Sequence, residues 1–125
     1  RTLARAQELA ARFGARVEAV EWSAIGGLMG RVGLLVNTTS LGMTHQPPLA
    51  VDIAPLRQDA VVADLVYAPL VTPLLAAATA RGLRTADGLG MLLHQAVRGF
   101  SLWFGQMPQV TAELRALVEA DLAKV

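Results

Sequence analysis

The sequence predicts an α/β fold: an open parallel sheet with helices on its faces. Three observations carry that expectation. Residues 32–36 (VGLLV) and 60–66 (AVVADLV) are nearly continuous apolar runs. They lack the in–out alternation of a strand wetted on one face, as strands covered on both faces do. Along the chain, strand-like runs alternate with stretches of helical spacing, which is the pattern of an α/β fold. Finally, each run, and a shorter one at 83–86, gives way to a polar or glycine-bearing turn: Asn37-Thr38-Thr39-Ser40, Tyr67, and Asp87-Gly88-Leu89-Gly90.

In chain order, Leu3, Ala6, Leu9, Ala10 and Phe13 recur at helical spacing between Thr2 and Gly14, a good N-cap and a good C-terminal stop. Residues 16–22 (RVEAVEW) alternate with a charge on each face, which predicts an edge strand. Residues 23–30 read as a short, glycine-interrupted helix or turn, and residues 44–55, with three prolines, as a loop. Thr72-Pro73 opens a helix that runs to Arg81 and stops at Gly82. A further helix follows Asp87 and reaches Phe104 or Gly105. Pro108 restarts a last one with Val110, Leu114, Leu117, Val118 and Leu122 on one face.

Composition removes several function classes. The chain has 125 residues, 54% of them hydrophobic and 17% charged, with a net charge of +1. No basic run interleaved with aromatics is present, so there is no case for a nucleic-acid partner. Asp64, Pro69 and Pro73 break the most apolar region, so it is no membrane span. The absence of cysteine excludes disulfides and thiolate metal sites and fits a cytoplasmic setting. Arg1 already lies inside a helical pattern, which leads us to expect a fragment.

In an open parallel sheet the ligand crevice lies beyond the carboxyl ends of the strands. The three polar turns therefore belong at one edge. Hydroxyls and backbone amides there suit a ribose or pyrophosphate, and the Tyr67 hydroxyl and Gln95 amide suit a small polyhydroxy substrate. Met91 and Gln95, four apart, share a helix face. Taken singly, each has a simpler reading. Thr38-Thr39-Ser40 can be a satisfied turn, Met43 and Met91 core fillers, and Asp87 a helix cap. Asp64 needs a polar partner inside a strand. His94 reads as a packing residue, and His45 as a solvated loop residue.

Taken together, NTTSLGM (37–43), DLVY (64–67) with TPLL (72–75), and ADGLGMLLHQA with the later LWFG (86–105) resemble the shikimate dehydrogenase family in order and spacing. The resemblance spans essentially the whole chain. It implies an incomplete Rossmann-like sheet, with residues 16–22, 32–36, 60–66 and 83–86 as strands 3, 4, 5 and 6 in the order 3-2-1-4-5-6, flanking helices and two C-terminal helices. Residues 1–105 would form part of an NADP-binding domain, and residues 106–125 a helix packing back toward a substrate domain. By position, Arg1, Thr2 and Arg5 resemble the cluster at the adenosine 2′-phosphate, and Thr38, Thr39 and Ser40 contacts near the ribose and nicotinamide. Leu65, Gly88 and Met91 resemble residues around the nicotinamide ring, and Tyr67 and Gln95 the two substrate contacts. Neither the family's glycine-rich pyrophosphate loop nor its Lys–Asp proton-transfer pair is present in these 125 residues.

The implied activity is NADP-dependent interconversion of 3-dehydroshikimate and shikimate, in aromatic amino-acid biosynthesis, with no catalytic residue and no metal site in this chain. By itself the chain is expected to be inactive. It is also expected to self-associate or to pair with the rest of its parent, since strand 4 would carry an unpaired apolar edge. A quinate-active relative, or a non-catalytic α/β module, are the alternatives.

Overall fold

The computed structural model describes residues 2–124. Helix α1 spans Leu3–Phe13 and ends at Gly14, whose φ of 66° carries the chain out of the helix. Short 3-10 segments cover Gly14–Arg16 and Trp22–Arg31. Strand β1 (Leu34–Asn37), β2 (Val61–Asp64) and β3 (Arg84–Ala86) form one parallel sheet in the order β1-β2-β3. Leu34 pairs with Val61 and Asn37 with Asp64, and Ala63 pairs with Ala86. That register brings the carboxyl ends of all three strands level at one edge. Helices α2 (Pro73–Ala80), α3 (Gly88–Phe104) and α4 (Ala112–Leu122) complete the chain.

Local chemistry sets the helix starts. Thr72, Asp87 and Thr111 each accept a hydrogen bond from a first-turn amide, those of Leu75, Gly90 and Leu114, which satisfies donors the helix itself cannot. Pro73 follows the Thr72 cap at the first helical position, where a missing N–H costs nothing. The core lies on one side of the sheet. Met29, Ile53, Leu56, Ala60, Val62, Leu74, Leu75, Ala78 and Leu83 form one buried cluster. Arg81 fastens the 49–56 loop over it by donating to the carbonyls of Ile53 and Leu56. No helix among the described residues is long and apolar enough to cross a membrane.

Three expectations need correction. Residues 17–21 form no strand: the backbone is extended at Val17 and Glu21 but pairs with nothing. A strand is stabilised by its neighbour's ladder, and among the described residues no strand lies beside this segment. The strands are also less covered than their apolar runs imply. Leu34 and Val36, on one face of β1 by the period of two, are 57% and 40% exposed, and all of β3 is exposed. The last helix begins at Ala112 rather than Pro108, because the Thr111 hydroxyl supplies a cap that proline cannot. The observed architecture remains α/β with a small parallel sheet, flanking helices and two helices at its C-terminal end.

α4 buries none of its residues fully, and among the described residues its side-chain hydrogen bonds to another element are those of Arg115. Arg115 donates through both terminal nitrogens to the Asp87 carboxylate, at 2.7 and 3.3 Å. Its Nε meets Glu119 at 2.8 Å, one turn further along. Partial burial of the Asp87 carboxylate opposes its ionisation. Hydrogen bonds from Arg115 and the Gly90 amide, with the charge of Arg115, outweigh that and leave its pKa below the ordinary 3.8. A carboxyl group whose pKa falls on folding stabilises the fold above its unfolded pKa and loses that contribution as pH drops through the folded value. The urea midpoint of the full gene product should therefore exceed that of Asp87→Asn by a constant margin from pH 7 to 5. The margin should shrink only as pH falls below about 4, near the unfolded aspartate value; shrinkage between pH 7 and 5 would contradict the assignment.

Candidate functional site at the carboxyl edge of the sheet

A connected set of polar side chains closes the carboxyl edge. Asn37 and Asp64 are the terminal paired residues of β1 and β2, 3% and 1% exposed. Asn37 Nδ2 donates to Asp64 Oδ1 and to the Leu41 carbonyl, both at 3.0 Å. Its Oδ1 accepts from the Thr39 amide at 3.0 Å and the Thr39 hydroxyl at 2.8 Å. The Thr39 hydroxyl in turn accepts from the Leu41 amide at 3.1 Å. Asp64 Oδ1 also takes the Val66 amide at 3.0 Å, and Oδ2 takes the Thr72 hydroxyl at 2.7 Å. Among the described residues no buried side-chain polar atom lacks a partner, as buried polar groups require.

This set joins the 37–41 turn, the 64–67 turn and the start of α2. Thr44 adds a tie between the first two loops, its amide donating to the Ala68 carbonyl at 2.9 Å. Asp64 is enclosed and its oxygens already accept from three donors, so it organises the loops and is not placed to exchange a proton with a ligand. The start of α3 is fixed differently. A Cβ on Gly88 would overlap the Leu65 carbonyl oxygen and lie 2.6 Å from that of Val66. Only glycine lets the α3 N-terminus seat against the end of β2. The molecule approaching Gly88 most closely is thus the chain itself.

Two cavities flank this edge. The larger, of about 880 Å³, is lined by Thr2, Leu3 and Ala6 of α1 and its cap, by residues 18–23 and Ile25, and by Thr39, Ser40 and Leu41. It unites three sequence-predicted contacts, Thr2, Thr39 and Ser40, which lie far apart in the chain. Arg5 is exposed on α1, outside this lining and without an ion pair among the described residues. Arg1 lies outside the described residues. Thr38 is exposed, and the Thr39 hydroxyl has spent its proton on Asn37. The smaller cavity, about 250 Å³, is lined by Tyr67 with Thr44, residues 68–70, Glu119 and Leu122 of α4, and Ala123 at its end.

Leu65 is half-buried, and Gly88 fully so; Met91 and Gln95 are exposed on α3 and line neither cavity. The edge therefore gathers the predicted residues into two groups, Thr2/Thr39/Ser40 and Tyr67, with Gln95 apart from both. His94 is exposed rather than packed, and the Asp87 cap and the polar partners of Asp64 are as the sequence implies. Sequence reasoning missed Asn37 and Thr72 as the partners of Asp64, Glu119 beside Tyr67, and the Arg115 link from Glu119 to Asp87. The first had a usable signal: two polar residues that each end an apolar strand are candidates to pair in register. No group of three metal-ligating side chains occurs among the described residues.

Known proteins resemble the chain over nearly all of its length. Residues 88–118 match the model of the shikimate 5′-dehydrogenase C-terminal domain. A shikimate dehydrogenase (NADP(+)) of Nitrobacter hamburgensis is 71% identical over 122 residues, covering 98% of this chain and 43% of that protein. Among solved structures, quinate dehydrogenase from Corynebacterium glutamicum in complex with NAD matches 94% of this chain and 43% of its own, at TM-score 0.80 and 36% identity. Shikimate 5-dehydrogenase from Thermus thermophilus, in complex with NADP(H) and shikimate, matches 99% of this chain and 43% of its own, at TM-score 0.76 and 31% identity. The chain thus spans less than half the length of these relatives. Over the region it spans, it belongs to the shikimate dehydrogenase family.

Proposed function

We propose that the protein carrying this chain is an NADP-dependent oxidoreductase that interconverts 3-dehydroshikimate and shikimate. The observation that carries the reading is spatial: the three family-like blocks, 37–43, 64–67 and 86–95, converge on one edge of a parallel sheet, where such folds bind ligands. The larger cavity suits a dinucleotide in size, and the Ser40 and Thr2 hydroxyls and the Trp22 ring are available along it. In this reading Thr2 and Arg5, with Arg1, face the adenosine 2′-phosphate, a charge-assisted role fit for guanidinium groups. Thr38, Thr39 and Ser40 lie along the ribose, and Leu65, Gly88 and Met91 border the nicotinamide. When bound, the nicotinamide supplies hydride transfer. Tyr67 and Gln95 orient the substrate through its hydroxyl and carboxylate groups, and the proton is moved by residues outside this chain.

Several measurements test this. The chain alone should show no shikimate-dependent NADP reduction. Joined to the segment its relatives carry ahead of the matched region, it should turn over. There Gln95→Ala should raise KM for shikimate roughly tenfold, the scale of a lost hydrogen bond to a charged or polar ligand group, with little change in KM for NADP. Arg5→Ala should weaken NADPH and leave NADH nearly unaffected. Preference for quinate with NAD, or an unchanged shikimate KM in Gln95→Ala, would overturn the reading.

We also infer that residues 1–105 act as the cofactor-side unit and residues 106–125 as a helix that docks on further polypeptide. Leu102, Trp103 and Phe104 of α3, Met107 of the connection after it, and Leu117 of α4 are all more than 60% exposed, and exposed apolar side chains that cluster mark interaction surfaces. The open side of β1, with Leu34 and Val36, adds an unpaired strand edge. At micromolar concentration, light scattering on the chain alone should give a mass well above 13.2 kDa. A monodisperse 13.2 kDa species would count against the docking role.

A further inference from the structure

We propose that Arg115 is a positioning residue for the substrate side of the site, holding α4 so that the wall beside Tyr67 and the start of α3 keep a fixed relation. The proposal rests on the reading above, in which Tyr67 and Gln95 meet the substrate.

No residue of α4 is fully buried, and Leu117 on it is 69% exposed. Val118 and Leu122 are half-buried, Leu122 against the Tyr67 cavity, but among the described residues its side-chain hydrogen bonds to another element are those of one guanidinium. Arg115 reaches 28 residues back to grip both oxygens of Asp87, at 2.7 and 3.3 Å, and it holds Glu119 through Nε at 2.8 Å. The fork is suited to this task, since its five donors lie in one plane and can serve two carboxylates at once.

Each end of the fork leads to a different substrate-side element. Asp87 caps α3, the helix that carries Met91 and Gln95. Glu119 lines the 250 Å³ cavity together with Tyr67. Arg115 is therefore the one described side chain that bonds to both the α3 start and the Tyr67 cavity wall. Its loss need not unfold either. Asp87 Oδ1 would still accept from the Gly90 amide at 3.2 Å, and Gly88 would still seat against Leu65 and Val66. What is released is the relation between them. A positioning role is thereby separable from a role in folding.

The test uses the full gene product. Arg115→Gln should raise KM for shikimate roughly three- to fivefold, the scale of an ion pair of this exposure, while kcat and KM for NADP stay within about twofold. Arg115→Lys should recover only part of the loss, because a single ammonium cannot bridge both carboxylates. The double variant Asp87→Asn/Arg115→Gln should be no worse than the poorer single variant, as expected for partners in one interaction. A wild-type shikimate KM in Arg115→Gln, full recovery with Lys, multiplicative losses in the double variant, or kcat and both KM values worsening together would each overturn the proposal.

Amide hydrogen exchange supplies a second readout that needs no turnover. In Arg115→Gln, amides 91–95 should exchange faster, with Val62 and Ala63 unchanged. Unaltered exchange at 91–95 would overturn the proposal as well. A wild-type protein that turns over no shikimate but shows the exchange change would refute the proposed substrate and leave the Arg115 coupling standing.

Discussion

The Asp64 carboxyl group sits at the last paired position of β2, 1% exposed, and accepts from the Asn37 amide, the Val66 amide and the Thr72 hydroxyl. A polar group so placed costs roughly 1–3 kcal/mol if left without partners. The fold meets that demand from three different segments. The demand is also what organises the edge: because one side chain requires all three donors, the 37–41 turn, the 64–67 turn and the α2 start are held in a single arrangement. Thr72 meets two needs with one hydroxyl, donating to Asp64 and accepting from Leu75 to cap α2. The helix start and the strand ends are thus fixed by the same atom.

From that frame the remaining geometry follows by close packing. Gly88 allows α3 to begin in contact with the Leu65 and Val66 backbone, and Asp87, one residue earlier, caps the helix and receives Arg115. The path runs from β2 to α3 and from α3 to α4. The rigid portion is the β2 edge, with its buried network. The portion held by fewer contacts is α4, whose side chains are all at least partly exposed.

Much of this was legible in the residues, and for local reasons. Thr72-Pro73 and Asp87 announce helix starts because capping depends on atoms within three or four positions. The apolar runs mark strand positions, and Asp64 inside one of them demands a partner. Other features depended on distant residues and were not legible. Residues 16–22 have a strand's alternation, but pairing needs a neighbour, and the periodicity of a segment does not say whether one lies beside it. Arg115 has an unremarkable local partner in Glu119, one turn away, which hides its link to Asp87, 28 residues distant. Tyr67 follows an apolar run like the other candidates, yet residues 68–70 and α4 place it in a cavity apart from theirs. The division of the edge into two cavities is a consequence of helix placement, to which strand-end motifs are blind.

The measurement closest to the central claim is site-resolved amide exchange in the full gene product carrying Asp64→Ala. If one carboxyl group unites the three segments, the amides of Leu41 and Leu75 should lose protection together, each by roughly tenfold or more, the effect of about 1–3 kcal/mol for a broken buried hydrogen bond. The amide of Val62, deeper in the sheet, should keep its wild-type rate. Wild-type protection at Leu41 or at Leu75, with the Asp64 side chain gone, would show that the loops are held independently and contradict the account.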